Sequence, residues 1–148
     1  MKKITTLLFS SAVAIVLFAS ATKNSGGKIN RAGSPGEGTC SQCHTSSSAS
    51  GSIVLRSNIP AAGYTAGTTY HMKVVIAFAG KSTWGVDIEA LNSSNTNIGS
   101  LVVTDATNTW SSGTTKTNIM HSQPGATADS MVYNFDWTAP ATGAGTAT

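Results

Sequence analysis

The feature that most constrains this chain is a strict two-residue alternation of apolar side chains. In residues 70–78 Tyr70, Met72, Val74, Ile76 and Phe78 fall on one side, and His71, Lys73, Val75 and Ala77 on the other. Met131, Tyr133, Phe135 and Trp137 alternate in the same way with Val132, Asn134 and Asp136. A period of two places one set on one face of an extended strand. Shorter runs repeat the pattern: Ile53 and Leu55 against Val54 and Arg56, and Trp84, Val86, Ile88 and Ala90 against Gly85, Asp87, Glu89 and Leu91. Leu101 to Val103 is short and apolar. Clusters of Gly, Asn, Ser and Pro separate these runs, and no stretch after residue 21 carries a 3.6-residue period. The expectation is an all-β antiparallel sandwich. Its core should gather Tyr70, Val74, Ile76, Phe78, Trp84, Ile88, Tyr133, Phe135 and Trp137.

What precedes the strands reads differently. Residues 1–21 have the layout of an export signal. Lys2 and Lys3 are followed by an apolar run from Ile4 to Phe18, then the small residues Ala19, Ser20 and Ala21. The run is about 15 residues, shorter than the roughly 20 a helix needs to span a bilayer. Cleavage after Ala21 would leave a chain without a membrane span, in the periplasm, outside the cell or at its surface. Nine Lys and Arg stand against six Asp and Glu in the whole chain, and Lys2 and Lys3 leave with the signal. Seven against six is nearly neutral, so nothing here suggests a nucleic-acid surface. Residues 22–38, rich in Gly, Ser and Asn, read as a flexible, exposed tether. A segment at 39–50 follows, and 51–148 form the sandwich. The closing Thr146-Ala147-Thr148 reads as the opening of one more strand, so truncation at the C-terminus is expected.

The chemistry is concentrated between these parts. Cys40-Ser41-Gln42-Cys43-His44 has the C-x-x-C-H spacing of covalent haem c attachment, and its cysteines are the only two in the chain. Two thiols on one turn of chain can reach the two vinyl groups of one porphyrin, and the adjacent His44 can bind the iron. The expectation is one covalent haem c per chain, held by Cys40, Cys43 and His44. A Cys40–Cys43 disulfide, a thioredoxin-like redox pair and a zinc site remain as alternatives. A sixth iron ligand would come from His71, His121, Met72, Met120 or Met131. Met72 and Met131 sit on apolar strand faces and read as core. His71 shares a face with Lys73 and reads as solvated, and His121 lies near a strand end. No nucleophilic serine motif, useful carboxylate pair or phosphate-binding glycine loop suggests an enzyme. Asp87 and Glu89 share a strand face and read as solvated.

Several segments together resemble a known family. They are Gly33-Ser34-Pro35-Gly36-Glu37-Gly38-Thr39-Cys40-Ser41-Gln42-Cys43-His44, Ile59-Pro60 with Gly63-Tyr64-Thr65-Ala66-Gly67, Trp84 to Leu91, Met120-His121-Ser122, and Asp136 to Pro140. From Gly33 onward the chain resembles the Reeler-like domain of bacterial exported proteins, also called the choice-of-anchor V domain. The resemblance implies an immunoglobulin-like sandwich preceded by a haem-binding-type motif, with His121 at the place of a characteristic histidine and therefore favoured as a metal ligand. It also implies cell-surface attachment through a C-terminal region missing from this sequence. Two functions follow as expectations. One is extracytoplasmic electron transfer through a single haem, with a redox partner protein. The other is a surface adhesion or display module whose cysteines form a disulfide.

Overall fold

The computed structural model describes residues 26–44, 50–112, 117–122, 128–142 and 145–148. The candidate signal at 1–21 lies outside them, as does most of the joint at 45–50. Seven strands are described: β1 (Ser52–Ser57), β2 (Thr69–Ala77), β3 (Asp87–Ile88), β4 (Ser100–Val103), β5 (Thr109–Ser112), β6 (Asn118–His121) and β7 (Ser130–Thr138). They form two sheets, one ordered β1-β2-β7-β4 and a smaller one ordered β3-β6-β5, with every pairing antiparallel. The architecture is an all-β sandwich. Among the described residues no helix is long and apolar enough to cross a membrane.

The spine is the nine-residue pair β2–β7, built from the two longest alternations in the sequence. Its register sets Tyr70 opposite Trp137, Met72 opposite Phe135, Val74 opposite Tyr133 and Ile76 opposite Met131. Directly opposed side chains point to the same face, so these pairs present one apolar surface to the second sheet. Tyr70, Val74, Trp84, Tyr133, Phe135 and Trp137 are buried, as the alternation predicts, while Ile76, Phe78 and Ile88 are half-buried. Two of the buried aromatics, Trp137 and Tyr70, have partners for their polar tips. Trp137 Nε1 donates to the Ile98 carbonyl at 2.9 Å, and the Thr65 amide donates to the Tyr70 hydroxyl at 2.7 Å.

The core divides into two clusters rather than one. Tyr70, Trp137 and Ala139 form the first; Val74, Ile119 and Phe135 form the second, and Met72 and Leu101 pack against both. The run at 84–91 is strand only at Asp87–Ile88. Beyond Ile88 the chain leaves the ladder and turns, so that Leu91 pairs with Asn97 and both Leu91 and Ile98 become buried.

Residues 26–38 have a tether's composition and, Gly27 apart, are exposed or half-exposed. They are nonetheless fixed to the smaller sheet. The Gly27 amide donates to the His121 carbonyl at 2.8 Å, and the Arg31 amide donates to Asp87 Oδ2 at 2.9 Å. Met120 and Asn118 alternate with the inward-facing Ile119, yet both are fully buried. The docked segment accounts for Met120: a Cβ on Gly27 would lie 2.5 Å from Met120 Cβ, so only glycine allows so close an approach.

Candidate haem-attachment site

The C-x-x-C-H segment opens on a single 3-10 turn at Cys40–Gln42. One carbonyl organises it: the Cys40 oxygen accepts from the Cys43 amide at 3.2 Å and from the His44 amide at 3.0 Å. Cys40 opens the turn and Cys43 caps it, the two tied by the bond from the Cys43 amide to the Cys40 carbonyl. Both are free thiols and both are exposed, as is His44. Thr39 and Ser41 share a hydroxyl hydrogen bond of 2.6 Å across the start of the turn.

A small hairpin-like fold presents this turn. Ala32 bridges Thr39, the Gly33 amide donates to the Gly38 carbonyl, and the Gly38 amide donates to the Asn30 carbonyl. Arg31 ties the arrangement to the sandwich. Its amide is held by Asp87, and its carbonyl lies 3.9 Å from Cys40 Sγ. Asp87 is in turn bound by buried Asn118, whose Nδ2 donates to Asp87 Oδ1 at 2.7 Å and to Glu89 Oε1 at 3.1 Å. Burial pushes the Asp87 carboxyl above its usual range. The hydrogen bonds from Asn118 and Arg31 and the nearby His121 oppose that shift, and Glu37 adds to it. Asp87 and Glu89, expected as a solvated face, are half-buried clamps.

His121 closes β6 at the same end of the sheet. Its amide donates to the Val86 carbonyl at 3.3 Å, and its Nδ1 lies 3.1 Å from both the amide and the carbonyl of Val86. The ring lies against Gly85, where a Cβ would come within 2.7 to 3.0 Å of three ring atoms. With Nδ1 held by the backbone, Nε2 is the nitrogen left for a ligand. A short path of contacts thus joins the turn to this imidazole, from Cys40 through Arg31 and Asp87 to Val86 and His121. Gly85 leaves the space this ring occupies, and a Cβ on Gly27 would lie 3.3 Å from its Nδ1. In the sequence Gly27 carries no periodicity or motif, and Gly85 stands only as a small residue on the polar side of the 84–91 alternation.

The other candidate ligands lie elsewhere. Met72 and Met131 are half-buried on the spine, and Met120 is enclosed beneath Gly27. His71 is exposed on the outer face of β2, with its Nδ1 2.7 Å from Asp136 Oδ1. Among the described residues no three His, Cys, Asp or Glu side chains gather into a group that could hold a metal ion by themselves. No protein-family model, curated protein or solved structure matches this chain.

Proposed function

We propose that this chain is an exported c-type haem protein that transfers electrons outside the cytoplasm. The observation that carries the reading is the turn itself. Two free, exposed thiols flank a single 3-10 turn, Cys40 opening it and Cys43 capping it, and His44 follows at once. Cys40 and Cys43 would hold the haem by adding their S–H bonds across its two vinyl groups, with no leaving group, and His44 would bind its iron. The bound group supplies one-electron exchange between ferrous and ferric iron. The residues fit such a group: the turn is open to solvent, its thiols are unpaired with each other, and a second histidine stands at the same end of the smaller sheet.

His121 would supply a second iron ligand in this reading, through Nε2. Its Nδ1 contact with Val86 fixes the ring orientation, as an outer partner does for a ligating histidine. The sandwich is of the immunoglobulin-like, Reeler-like kind, and the export signal at 1–21 delivers it to a compartment where haem c is assembled. Its partner is another redox protein.

The test is spectroscopic. Protein made with a cytochrome c maturation system should keep haem staining on a denaturing gel, and Cys40→Ala with Cys43→Ala should remove it without unfolding the sandwich. Bis-histidine iron is low-spin, so the ferrous protein should resist carbon monoxide until His121→Ala opens the site. Staining that survives the double cysteine change contradicts the attachment. Ready carbon monoxide binding by the unaltered protein contradicts the role of His121 alone.

A further inference from the structure

The outer face of the larger sheet lies opposite the buried Tyr70, Val74, Tyr133, Phe135 and Trp137, and its register orders the side chains there into rows. Across β1, β2 and β7, Val54, Val75 and Val132 stand in one row, and Arg56, Lys73 and Asn134 in the next. The row after that sets His71 opposite Asp136, with Val102 of β4 beyond. Side chains opposed on neighbouring strands have Cβ atoms about 5 Å apart. Arg56 and Lys73 are therefore two like charges directly opposed, an arrangement that destabilises a sheet.

No acid relieves them. Arg56, Lys73 and Asn134 are all exposed. Among the described residues neither cation has a hydrogen bond or ion pair through its side chain. Asp136 is the one carboxylate among the strand residues of this face, and it is already taken. Its Oδ1 lies 2.7 Å from His71 Nδ1, and its side chain is only 16% exposed. The two cations thus stand open to solvent beside an amide that can donate, and their mutual repulsion has no answer within the described fold.

We infer that the Arg56–Lys73–Asn134 row is a binding site for a phosphate monoester group. Charge decides the class. A phosphate monoester carries about −1.5 to −2 charges at neutral pH and so matches two adjacent cations. A carboxylate carries one charge and would leave the repulsion only half relieved. Arg56 supplies a planar fork of donors that fits two phosphate oxygens at once, and Lys73 supplies a compact charge beside it. The Asn134 carboxamide adds a neutral donor on the far side of Lys73. The Val54–Val75–Val132 row borders the cations and gives the organic part of the ester an apolar surface to lie on. The inference does not rest on the haem reading.

Phenyl phosphate, titrated into the intact protein at constant ionic strength, is the probe, and benzoate is its singly charged control. Phenyl phosphate should shift the Arg56 and Asn134 side-chain resonances and the Val75 methyls, and should bind about tenfold more tightly than benzoate. Arg56→Gln and Lys73→Gln change exposed residues, so both variants should fold. Each should weaken phenyl phosphate binding about tenfold. A second readout needs no resonance assignment: the ester should raise the thermal midpoint of the unaltered protein and leave that of the double variant unmoved. Vesicles bearing phosphatidic acid identify the source of the group. Sedimentation with them that Arg56→Gln abolishes makes it a lipid headgroup, and titration without sedimentation makes it a soluble or glycan-borne ester. Equal affinity for benzoate, or affinity unchanged in both variants, overturns the inference. So does a titration in which phenyl phosphate moves neither the resonances nor the midpoint.

Discussion

The β2–β7 spine and the 26–44 segment are held to the same molecule by different means. Along the spine, four inward cross-strand pairs bury aromatic and aliphatic surface over nine residues of ladder. In the segment only Gly27 is buried, and the anchoring rests on the Gly27 and Arg31 amides. Apolar burial is cooperative and spread out, whereas two hydrogen bonds and a close glycine contact can each be cut alone. The fold and the cysteine turn are therefore separable here. The spine can be weakened without touching the cysteine turn, and the turn can be released without melting the spine.

The largest expected effect falls on the spine. Phe135 is buried in the cluster with Val74 and Ile119. Phe135→Ala should cost about 3–5 kcal/mol, read as a lower denaturant midpoint. A loss under about 1 kcal/mol would mean the site collapses freely, and the contrast with the segment would fail.

Asp87 joins the two regions and should come next. Asp87→Ala removes the acceptor of the Arg31 amide and one of the acceptors of buried Asn118. The expected cost is about 1–3 kcal/mol, the penalty for a buried group left unsatisfied. Hydrogen exchange should quicken at Arg31 far more than along β2 or β7. Equal quickening everywhere would show that the segment is part of the cooperative core.

Gly27→Ala should act almost wholly on the segment. The added Cβ meets Met120 at a distance no packing allows, so the chain must lift. Trypsin should then cut faster after Lys28 and Arg31, while global stability changes by less than about 1 kcal/mol. Unchanged cutting would remove the Gly27 contact from the account.

The smallest effect is one of pH. Burial raises the Asp87 carboxyl above its ordinary range, so the folded state holds that proton more tightly than the unfolded chain. Stability from this group is greatest below the ordinary carboxylate range and falls as pH rises through it toward the raised value. Asp87→Asn should flatten that part of the stability profile. A slope that survives the change belongs to another carboxyl.

The spine was legible because its signal is local: Tyr70 to Phe78 and Met131 to Trp137 alternate without interruption. The cysteine turn was legible because spacing alone defines it. Strand β5, Thr109–Ser112, was not, because Thr-Trp-Ser-Ser is too polar and short to alternate visibly. The run at Trp84 to Leu91 promised a longer strand than Asp87–Ile88, since a pattern cannot show where hydrogen bonding stops. The burial of Met120 was hidden for another reason. Its cover comes from Gly27, far away in sequence, and a glycine gives no hydrophobic signal. Gly85 beside His121 is the same case.

Covalent haem on the Cys40–His44 turn would show in the mass of the mature protein. Protein purified from a strain with a cytochrome c maturation system should be heavier than the cleaved polypeptide by about 616 Da, one intact haem, because thiol addition expels nothing. Cys40→Ala with Cys43→Ala should return the mass to that of the altered polypeptide alone. A polypeptide mass with no addition, or one lighter by two hydrogens from a Cys40–Cys43 disulfide, would contradict the account.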